Sequence, residues 1–210
     1  MNNSKISVLQ NAFRAGINYN PFPHIVIKNC LPDEYYKRLE KAYIEDEQLT
    51  KYNLMQPEKN TRVKFRFNEI AYEKVKWPHS EIWTEFVRYH ISEKFFRELV
   101  ELFGPEFKTL CPHLESKLET TLEQVPVKLH VPDVKYSYEE SKKIFLDGDI
   151  GINTTSDLTS SVRKDHVDGM QKLFGGLLYF KRTDDDATGG DLDLSRWKYD
   201  QSLTINKSTE

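Results

Sequence analysis

The apolar residues between Ile82 and Phe103 constrain the fold more than any other pattern in this chain. They recur at spacings of three and four residues, which places them on one face of a long helical region. Ser80 precedes the run and can cap its first turn, and Ser92 can cap a second helix if the region is divided in two. The Gly-Pro pair at 104–105 predicts where the region ends. Because a stripe of this length must be buried, the pattern predicts a helical layer packed against a core.

The rest of the chain divides into a helical first half and a strand-rich second half. Residues 31–34 are typical of a helix entrance, because Pro32 is followed by two acidic residues in the first turn. The apolar and aromatic residues at 35, 36, 39 and 43 then share one helix face. Alternation, apolar runs and turn signals predict short strands at 23–28, 62–67, 125–134, 143–146, 149–153, 174–180 and 191–194. This order of elements predicts an α+β fold.

Composition limits the classes of function. The 210 residues include 12 Phe, 11 Tyr and 3 Trp, enough to bury a core, so global disorder is excluded. The formal net charge of −3 provides no basic footprint for nucleic acid and no polybasic membrane anchor. Cys30 and Cys111 are far apart, which indicates neither a zinc ribbon nor a disulfide framework. Residues 1–20 lack the apolar segment of a signal peptide and no run reaches transmembrane length, so we expect a cytoplasmic protein without a nucleic-acid or membrane partner.

His166 and Asp168 form the one sharp chemical pattern. In extended backbone, residues two apart project to the same face, so an imidazole nitrogen and a carboxylate oxygen can reach one metal ion. Such a pair supplies two of the three protein ligands in the 2-His-1-carboxylate site that holds non-haem Fe(II) and leaves positions open. A His-x-Asp triplet alone is common, and a solvated loop histidine beside an acid is the alternative interpretation.

Three ordered pieces around this pair resemble a known family. Residues 161–168 read Ser-Val-Arg-Lys-Asp-His-Val-Asp, residues 173–180 read Leu-Phe-Gly-Gly-Leu-Leu-Tyr-Phe, and residues 189–194 read Gly-Gly-Asp-Leu-Asp-Leu. Together they resemble the 2-oxoglutarate- and Fe(II)-dependent oxygenases, most of all a bacterial and phage branch related to the prolyl-4-hydroxylase-like enzymes. The specific match covers 150–198, and residues 20–32 are similar, more loosely, to the opening of such proteins.

The resemblance implies a double-stranded β-helix, or jelly roll, with N-terminal helices, over residues 20–210 after an N-terminal extension at 1–19. It implies that His166 and Asp168 bind Fe(II), that 2-oxoglutarate chelates the iron as co-substrate with ascorbate as an optional reductant, and that the reaction is hydroxylation of a C–H bond. Arg163 could face the acidic co-substrate or be an ordinary surface arginine. Tyr179 could line the pocket through its hydroxyl or be a half-buried strand residue. The substrate stays open between a small molecule and a peptidyl side chain.

The chain departs from the family after the predicted ligand pair. The family has a second histidine well downstream, and a basic residue beyond it pairs with the distal carboxylate of 2-oxoglutarate, but no histidine follows His166. The resemblance therefore implies a domain without its C-terminal strands, in which His24, His113 or His130 could substitute as third ligand. The alternatives are an inactive remnant or binding module of this fold, and one half of a split oxygenase completed by another chain. We expect little or no turnover by the isolated chain and a tendency to self-associate.

Overall fold

The computed structural model describes residues 6–44, 62–153, 172–180 and 192–195. Along these ranges the chain forms a short 3-10 helix at Arg14–Gly16 and then α1 (Asp33–Lys41), β1 (Arg62–Arg66), α2 (Phe67–Ala71), α3 (Glu81–His90), α4 (Glu93–Leu110), α5 (Leu114–Leu118), β2 (Val127–Leu129), α6 (Tyr138–Ser141), β3 (Ile144–Leu146) and β4 (Asp149–Asn153). In the described ranges the long helices precede residue 111 and three of the four strands follow residue 126. Within these ranges the elements follow the predicted order, and the α+β fold of the whole chain stays a prediction.

The helical region around residues 81–110 is divided as the two serines predict. Ser92 lies between α3 and α4, and its Oγ accepts a hydrogen bond from the backbone N–H of Phe95, which caps α4. Ser80 immediately precedes α3, but its Oγ accepts from the N–H of Trp77 and does not cap the helix. Helix α1 begins after Pro32 with two acidic residues in its first turn, as predicted. Local spacing and capping chemistry therefore account for where these helices begin.

The predicted end of the long helix at 104–105 is wrong, because α4 continues to Leu110 with Pro105 inside it. A proline removes one backbone donor from a helix, and tertiary contacts can compensate for that loss. Here the residues just beyond it are buried: Phe107 packs in the core, and Glu106 is only 7% exposed. Arg14 holds the Glu106 carboxylate in a two-bond pair, with Nη1 to Oε2 at 3.0 Å and Nη2 to Oε1 at 2.8 Å. These contacts extend the helix past its local stop signal.

Residues 6–19, which the sequence assigns to an N-terminal extension, pack along α3 and α4. The hydroxyl of Ser7 donates to the carboxylate of Glu98, and the backbone N–H of Val8 donates to Nε2 of His90 at 3.2 Å. Tyr19 adds a hydrogen bond from its hydroxyl to Glu106 at 2.7 Å. The described part of this segment is therefore held by side chains of the helical layer, while the boundary at residues 19 and 20 stays a prediction.

The described strands form two separate two-stranded sheets. Strand β1 pairs antiparallel with β4, with Phe65 opposite Ile150, and β2 pairs parallel with β3, with Leu129 opposite Leu146. The Asp-Gly turn at 147–148 does separate two strands, as predicted, but β3 and β4 pair with different partners. A Cβ at Gly148 would lie 2.6 Å from the ring of Phe67 at the start of α2, so any larger residue here would require that ring to move. The jelly roll stays a prediction.

Several predicted strands are shorter than expected or absent. Of residues 23–28, only His24 takes part in β pairing, as an isolated bridge with Asn18. The stretch 125–134 contributes just Val127–Leu129, since Pro126 and Pro132 flank it and lack backbone donors. Residues 174–180 and 192–194 are not in strands. Apolar alternation shows which side chains face a core, but strand pairing also needs a neighbouring backbone.

Two groups of buried side chains form the interior. One lies among α1, α2, α3 and β1, and includes the fully buried Leu39, Ile70 and Val87. The other lies between α4, α5 and β3, around the fully buried Phe96, Leu122 and Val125. Helix α4 contributes to both groups, which makes it the central element of the described structure.

Arg97 of α4 joins the second group of buried residues to the loop before β2. Its Nη1 donates to the carbonyl of Leu122 at 2.6 Å and its Nη2 to the carbonyl of Val125 at 2.7 Å. Arg97 also forms an ion pair with Glu93, one turn earlier, whose side chain is exposed to solvent. Arg97 therefore satisfies two carbonyls of residues whose side chains are fully buried.

We expect Arg97→Ala to lower the free energy of unfolding by about 1–3 kcal/mol, because both carbonyls lose their donor. The matched change Glu93→Ala removes just the exposed ion pair, and should cost no more than about 0.5 kcal/mol. Urea unfolding followed by circular dichroism measures both. Equal losses in the two variants would show that the carbonyl contacts contribute nothing.

Candidate functional site

Three of the four predicted site residues lie outside the described residues. Arg163, His166 and Asp168 all fall between β4, which ends at Asn153, and the next described residue, Lys172. The metal site predicted from His166 and Asp168 therefore stays a prediction. What the structure places is the chain on either side of it: β4 before it and residues 172–180 after it.

Residues 172–180, called here the post-ligand segment, pack on the core with alternate side chains from Phe174 onward, while Leu173 packs against the second group. Phe174, Leu178 and Phe180 lie partly buried against the first group of core residues. Leu177 and Tyr179 point outward and are each 60% exposed. A period of two in burial is the pattern of an extended segment that lies on a core with one face. Tyr179 lies on the outward face, and its role in binding the co-substrate stays a prediction.

The two segments that flank the predicted ligands meet at Tyr43, just beyond the end of α1. The hydroxyl of Tyr43 donates to the carbonyl of Gly151 in β4 at 3.0 Å. Its ring also lies 5.8 Å from that of Phe180, which stacks on Tyr36 at 4.9 Å and meets Trp83 edge-on at 5.3 Å. This aromatic group consists of Tyr36, Tyr43, Trp83 and Phe180. It fixes β4 and the end of the post-ligand segment to the same end of the helical layer.

The histidines that could replace the missing third ligand differ in their surroundings. His24 has Nδ1 2.8 Å from the carbonyl of Phe22. His113 is exposed at the start of α5. His130, the residue after β2, is half-buried, and its Nδ1 is buried without a hydrogen-bond partner. Of these three, His130 is the one with a buried ring nitrogen that has no hydrogen-bond partner.

His90, in α3, is the most buried histidine among the described residues. Its Nδ1 lies 2.7 Å from the carbonyl of Phe86, and its Nε2 accepts from the N–H of Val8. Burial lowers the pKa of His90 to about 4, against an ordinary value of 6.5, and the hydrogen bond to Phe86 opposes that shift. Both ring nitrogens make hydrogen bonds, so neutral His90 joins α3 to the N-terminal segment.

A shallow cleft of about 320 Å³ lies beside the parallel sheet, lined by Tyr72, Lys128, Leu129, Val131, Val134 and Tyr136. Lys128 in this lining donates to Glu140 at 3.3 Å. A hydrogen bond between Lys128 and Lys143 raises the pKa of Lys128 and lowers the pKa of Lys143. The carboxylate of Glu140 raises the pKa of Lys128 further. The cleft is at the lower end of the size range of small-molecule pockets. Five of the six lining residues lie within 128–136, and Tyr72, just after α2, is the one that is distant along the chain.

The described ranges contain no group of three His, Cys, Asp or Glu side chains arranged to hold a metal ion. No helix within those ranges is both long and apolar enough to cross a membrane. In comparisons with known proteins, no family model, no curated protein and no solved structure matches the chain. The family resemblance therefore rests on the residues quoted from the sequence, and the geometry adds the positions of their flanking segments.

Proposed function

We propose that this chain is a 2-oxoglutarate- and Fe(II)-dependent oxygenase with a jelly-roll domain over residues 20–210. It would act in the cytoplasm and hydroxylate a small molecule or a peptidyl side chain. The observation that carries the proposal is the order of three sequence pieces: His166-x-Asp168, the apolar run at 173–180 and the Gly-Gly-x-Leu stretch at 189–192.

The surroundings of the predicted ligands support this proposal in two respects. The post-ligand segment has the one-faced burial that a strand following the ligand pair requires, with Phe174, Leu178 and Phe180 inward. Tyr43 holds both flanks of the ligand region through Gly151 and Phe180. A site that must orient a metal and two substrates needs such rigid support on both sides.

The donor set of His166 and Asp168 fits a non-haem iron in its chemistry and is one protein ligand short of a facial triad. In this site the imidazole of His166 and the carboxylate of Asp168 would bind the metal. Arg163 would face the negative charge of the co-substrate, and Tyr179 would offer its hydroxyl at the rim. Bound Fe(II) with 2-oxoglutarate supplies the oxidising chemistry for C–H hydroxylation. The third donor and the partner of the distal carboxylate are left open.

A second candidate function is a non-catalytic binding module of the same fold, or one half of a split oxygenase. The observation that favours it is the outward exposure of Leu177, Tyr179, Leu192 and Leu194 in the last described segments. Exposed apolar side chains on extended segments are suited to contact with another strand. A complementing chain or a second copy of this chain would cover them.

We expect Fe(II), or Mn(II) under air, to raise the melting temperature of the full chain. Binding to the folded state alone stabilises it by RT ln(1 + [L]/Kd), which is about 2.7 kcal/mol when the metal is at a hundred times its Kd. His166→Ala and Asp168→Ala should each abolish the shift, while His79→Asn, at an exposed histidine that is not a candidate ligand, should retain it. Differential scanning fluorimetry measures the shifts.

Release of succinate from 2-oxoglutarate, with Fe(II) and ascorbate, then separates the two candidate functions. Succinate that depends on both His166 and Asp168 supports the oxygenase. A metal shift that depends on them without succinate supports the second candidate function, a binding module or one half of a split oxygenase, and contradicts an oxygenase that acts as this chain alone. The same metal response in the wild type and both variants contradicts the ligand assignment itself.

A further inference from the structure

The carboxyl ends of β2 and β3 bring together two side chains with metal-binding chemistry. His130 follows β2 and Asp147 follows β3, and the pairing of Leu129 with Leu146 places them side by side. The backbone N–H of His130 donates to the carbonyl of Leu146 at 2.8 Å, which continues the ladder to this point. The ends of adjacent parallel strands are where open sheets most often present ligand-binding groups.

The imidazole of His130 has a polar atom without a partner. Its Nδ1 is buried and makes no hydrogen bond, and the nearest carboxylate oxygen, Oδ2 of Asp147, is 3.5 Å away. A charge-assisted hydrogen bond between such groups spans about 2.7–2.9 Å, so this separation is too long for one. It is also too short for a water molecule to lie between the two atoms. A buried nitrogen in this state calls for an explanation, and a bound ion is one of the standard ones.

The separation matches the distance between two ligands of one metal ion. With bonds of about 2.1 Å from zinc to nitrogen and to oxygen, a tetrahedral angle places the two donors about 3.4 Å apart. We propose that Nδ1 of His130 and Oδ2 of Asp147 form a two-ligand site for a divalent transition-metal ion such as Zn²⁺, separate from the site predicted at His166 and Asp168. Water completes the coordination, because the described ranges provide no third such side chain nearby.

The surrounding residues hold both ligands in place. Oδ1 of Asp147 accepts from the N–H of Gly148 at 2.7 Å, which leaves Oδ2 for the metal. The ring of His130 meets the rings of Tyr136 and Phe145 at 6.0 and 6.3 Å. Tyr136 is itself fixed, since its hydroxyl bonds both the N–H and the carbonyl of Val131. Ligands that are oriented before binding lose less entropy when the metal arrives.

Access and donor type determine which ions fit. The Asp147 side chain is 52% exposed, so an ion can enter from solvent past this residue. One imidazole nitrogen and one carboxylate oxygen favour Zn²⁺, Ni²⁺ and Cu²⁺ over Mn²⁺ and Mg²⁺. The shallow cleft borders the site, because Leu129 and Val131 on either side of His130 line it. A ligand in that cleft could complete the coordination in place of water.

The test is Zn²⁺ binding by the full chain, measured by isothermal titration calorimetry. His130→Gln and Asp147→Asn should each weaken the binding about tenfold or more. Asp147→Asn keeps an acceptor for the N–H of Gly148, so it separates loss of a metal ligand from loss of the turn. His79→Asn, which changes an exposed histidine that is not a candidate ligand, should leave the affinity unchanged. In the His166→Ala/Asp168→Ala background, electron paramagnetic resonance of bound Cu²⁺ should show coupling to one imidazole nitrogen, and that coupling should disappear when His130→Gln is added.

The double variant His166→Ala/Asp168→Ala distinguishes this site from the proposed iron site. Zn²⁺ affinity that persists in the double variant and falls in Asp147→Asn supports the separate site, whatever the outcome for oxygenase activity. Unchanged affinity in both His130→Gln and Asp147→Asn overturns the proposal. Loss of this binding in the double variant also overturns it, because the ion would then depend on His166 and Asp168.

Discussion

Trp83→Ala is expected to lower the free energy of unfolding by about 3–5 kcal/mol, a large part of the total stability of a domain. Trp83 is only 2% exposed, and it joins three parts of the molecule. Its Nε1 donates to the carbonyl of Leu39 in α1 at 3.0 Å, and its ring meets Phe86 in its own helix at 5.6 Å. It also meets Phe180 of the post-ligand segment. Alanine would leave a cavity where the helical layer supports that segment.

Two matched variants separate the contributions to this loss. Trp83→Phe keeps an aromatic ring and removes the donor to Leu39, so it should lose about 1–3 kcal/mol. Tyr138→Ala changes an aromatic residue that is mostly exposed, and should stay within about 0.5 kcal/mol of the wild type. Urea denaturation measures all three variants. A loss below about 1 kcal/mol in Trp83→Ala would show that the aromatic group does not stabilise the described fold.

The elements that sequence reasoning located correctly are those with local causes. The period of three and four places α3 and α4, and Ser92 separates them because its hydroxyl can cap the second helix. Helix α1 follows from Pro32 and the acids after it. Each of these features is decided by residues within one or two turns of each other. A sequence pattern is sufficient in such cases because the deciding contacts are short in range.

The predictions about the fold that are wrong concern features that depend on contacts between residues distant in the sequence. Helix α4 passes its Gly-Pro stop signal because Arg14, some ninety residues earlier, holds Glu106 in the core. The strands at 143–146 and 149–153 are present, but their pairing with β2 and β1 follows from packing and not from the turn between them. The post-ligand segment has the alternation of a strand without forming one. Alternation of apolar residues predicts that one face of a segment is buried. Formation of a strand also requires a neighbouring strand to pair with.

The candidate sites differ in the same way. His166 and Asp168 are two residues apart, so their pairing is visible in the sequence and stays a prediction for this chain. His130 and Asp147 are separated by α6 and β3, and the parallel register of β2 with β3 brings them together. The sequence showed His130 just as one of three substitute ligands. Polar residues that follow neighbouring parallel strands lie close together. A prediction that β2 and β3 pair in parallel would therefore have placed His130 beside Asp147.

The stability of the protein is expected to fall by about 2 kcal/mol between pH 7 and pH 5 because of His90 alone. The pKa of this buried histidine is about 4 in the folded protein, and its ordinary value of 6.5 applies when the chain is unfolded. Above pH 6.5 both states are neutral and the contribution to stability is fully present. As the pH falls through the window from 6.5 to 4, the unfolded chain takes up a proton that the folded chain excludes. Stability is therefore lost on the acid side.

The hydrogen bonds of His90 explain why the folded state excludes the proton. Nδ1 donates to the carbonyl of Phe86, so an added proton would have to bind Nε2. That nitrogen accepts a hydrogen bond from the N–H of Val8. A proton on Nε2 would make it a donor that faces the N–H of Val8. The positive charge would also lie among the rings of Phe86 and Phe95, whose centres are 4.0 and 4.7 Å away. Acid should therefore first release the N-terminal segment from α3, which amide hydrogen exchange at Val8 would detect.

Comparison with variants isolates this residue from the carboxylates that also respond to acid. His90→Phe removes the titrating group, so its stability should change by less than about 0.5 kcal/mol between pH 7 and pH 5, even though the variant is less stable throughout. His113→Gln replaces an exposed histidine, and should keep the slope of the wild type. Urea unfolding at pH 5, 6 and 7 measures the three slopes. If the wild type and His90→Phe lose stability in parallel, the acid sensitivity does not come from His90, and its contact with Val8 survives protonation.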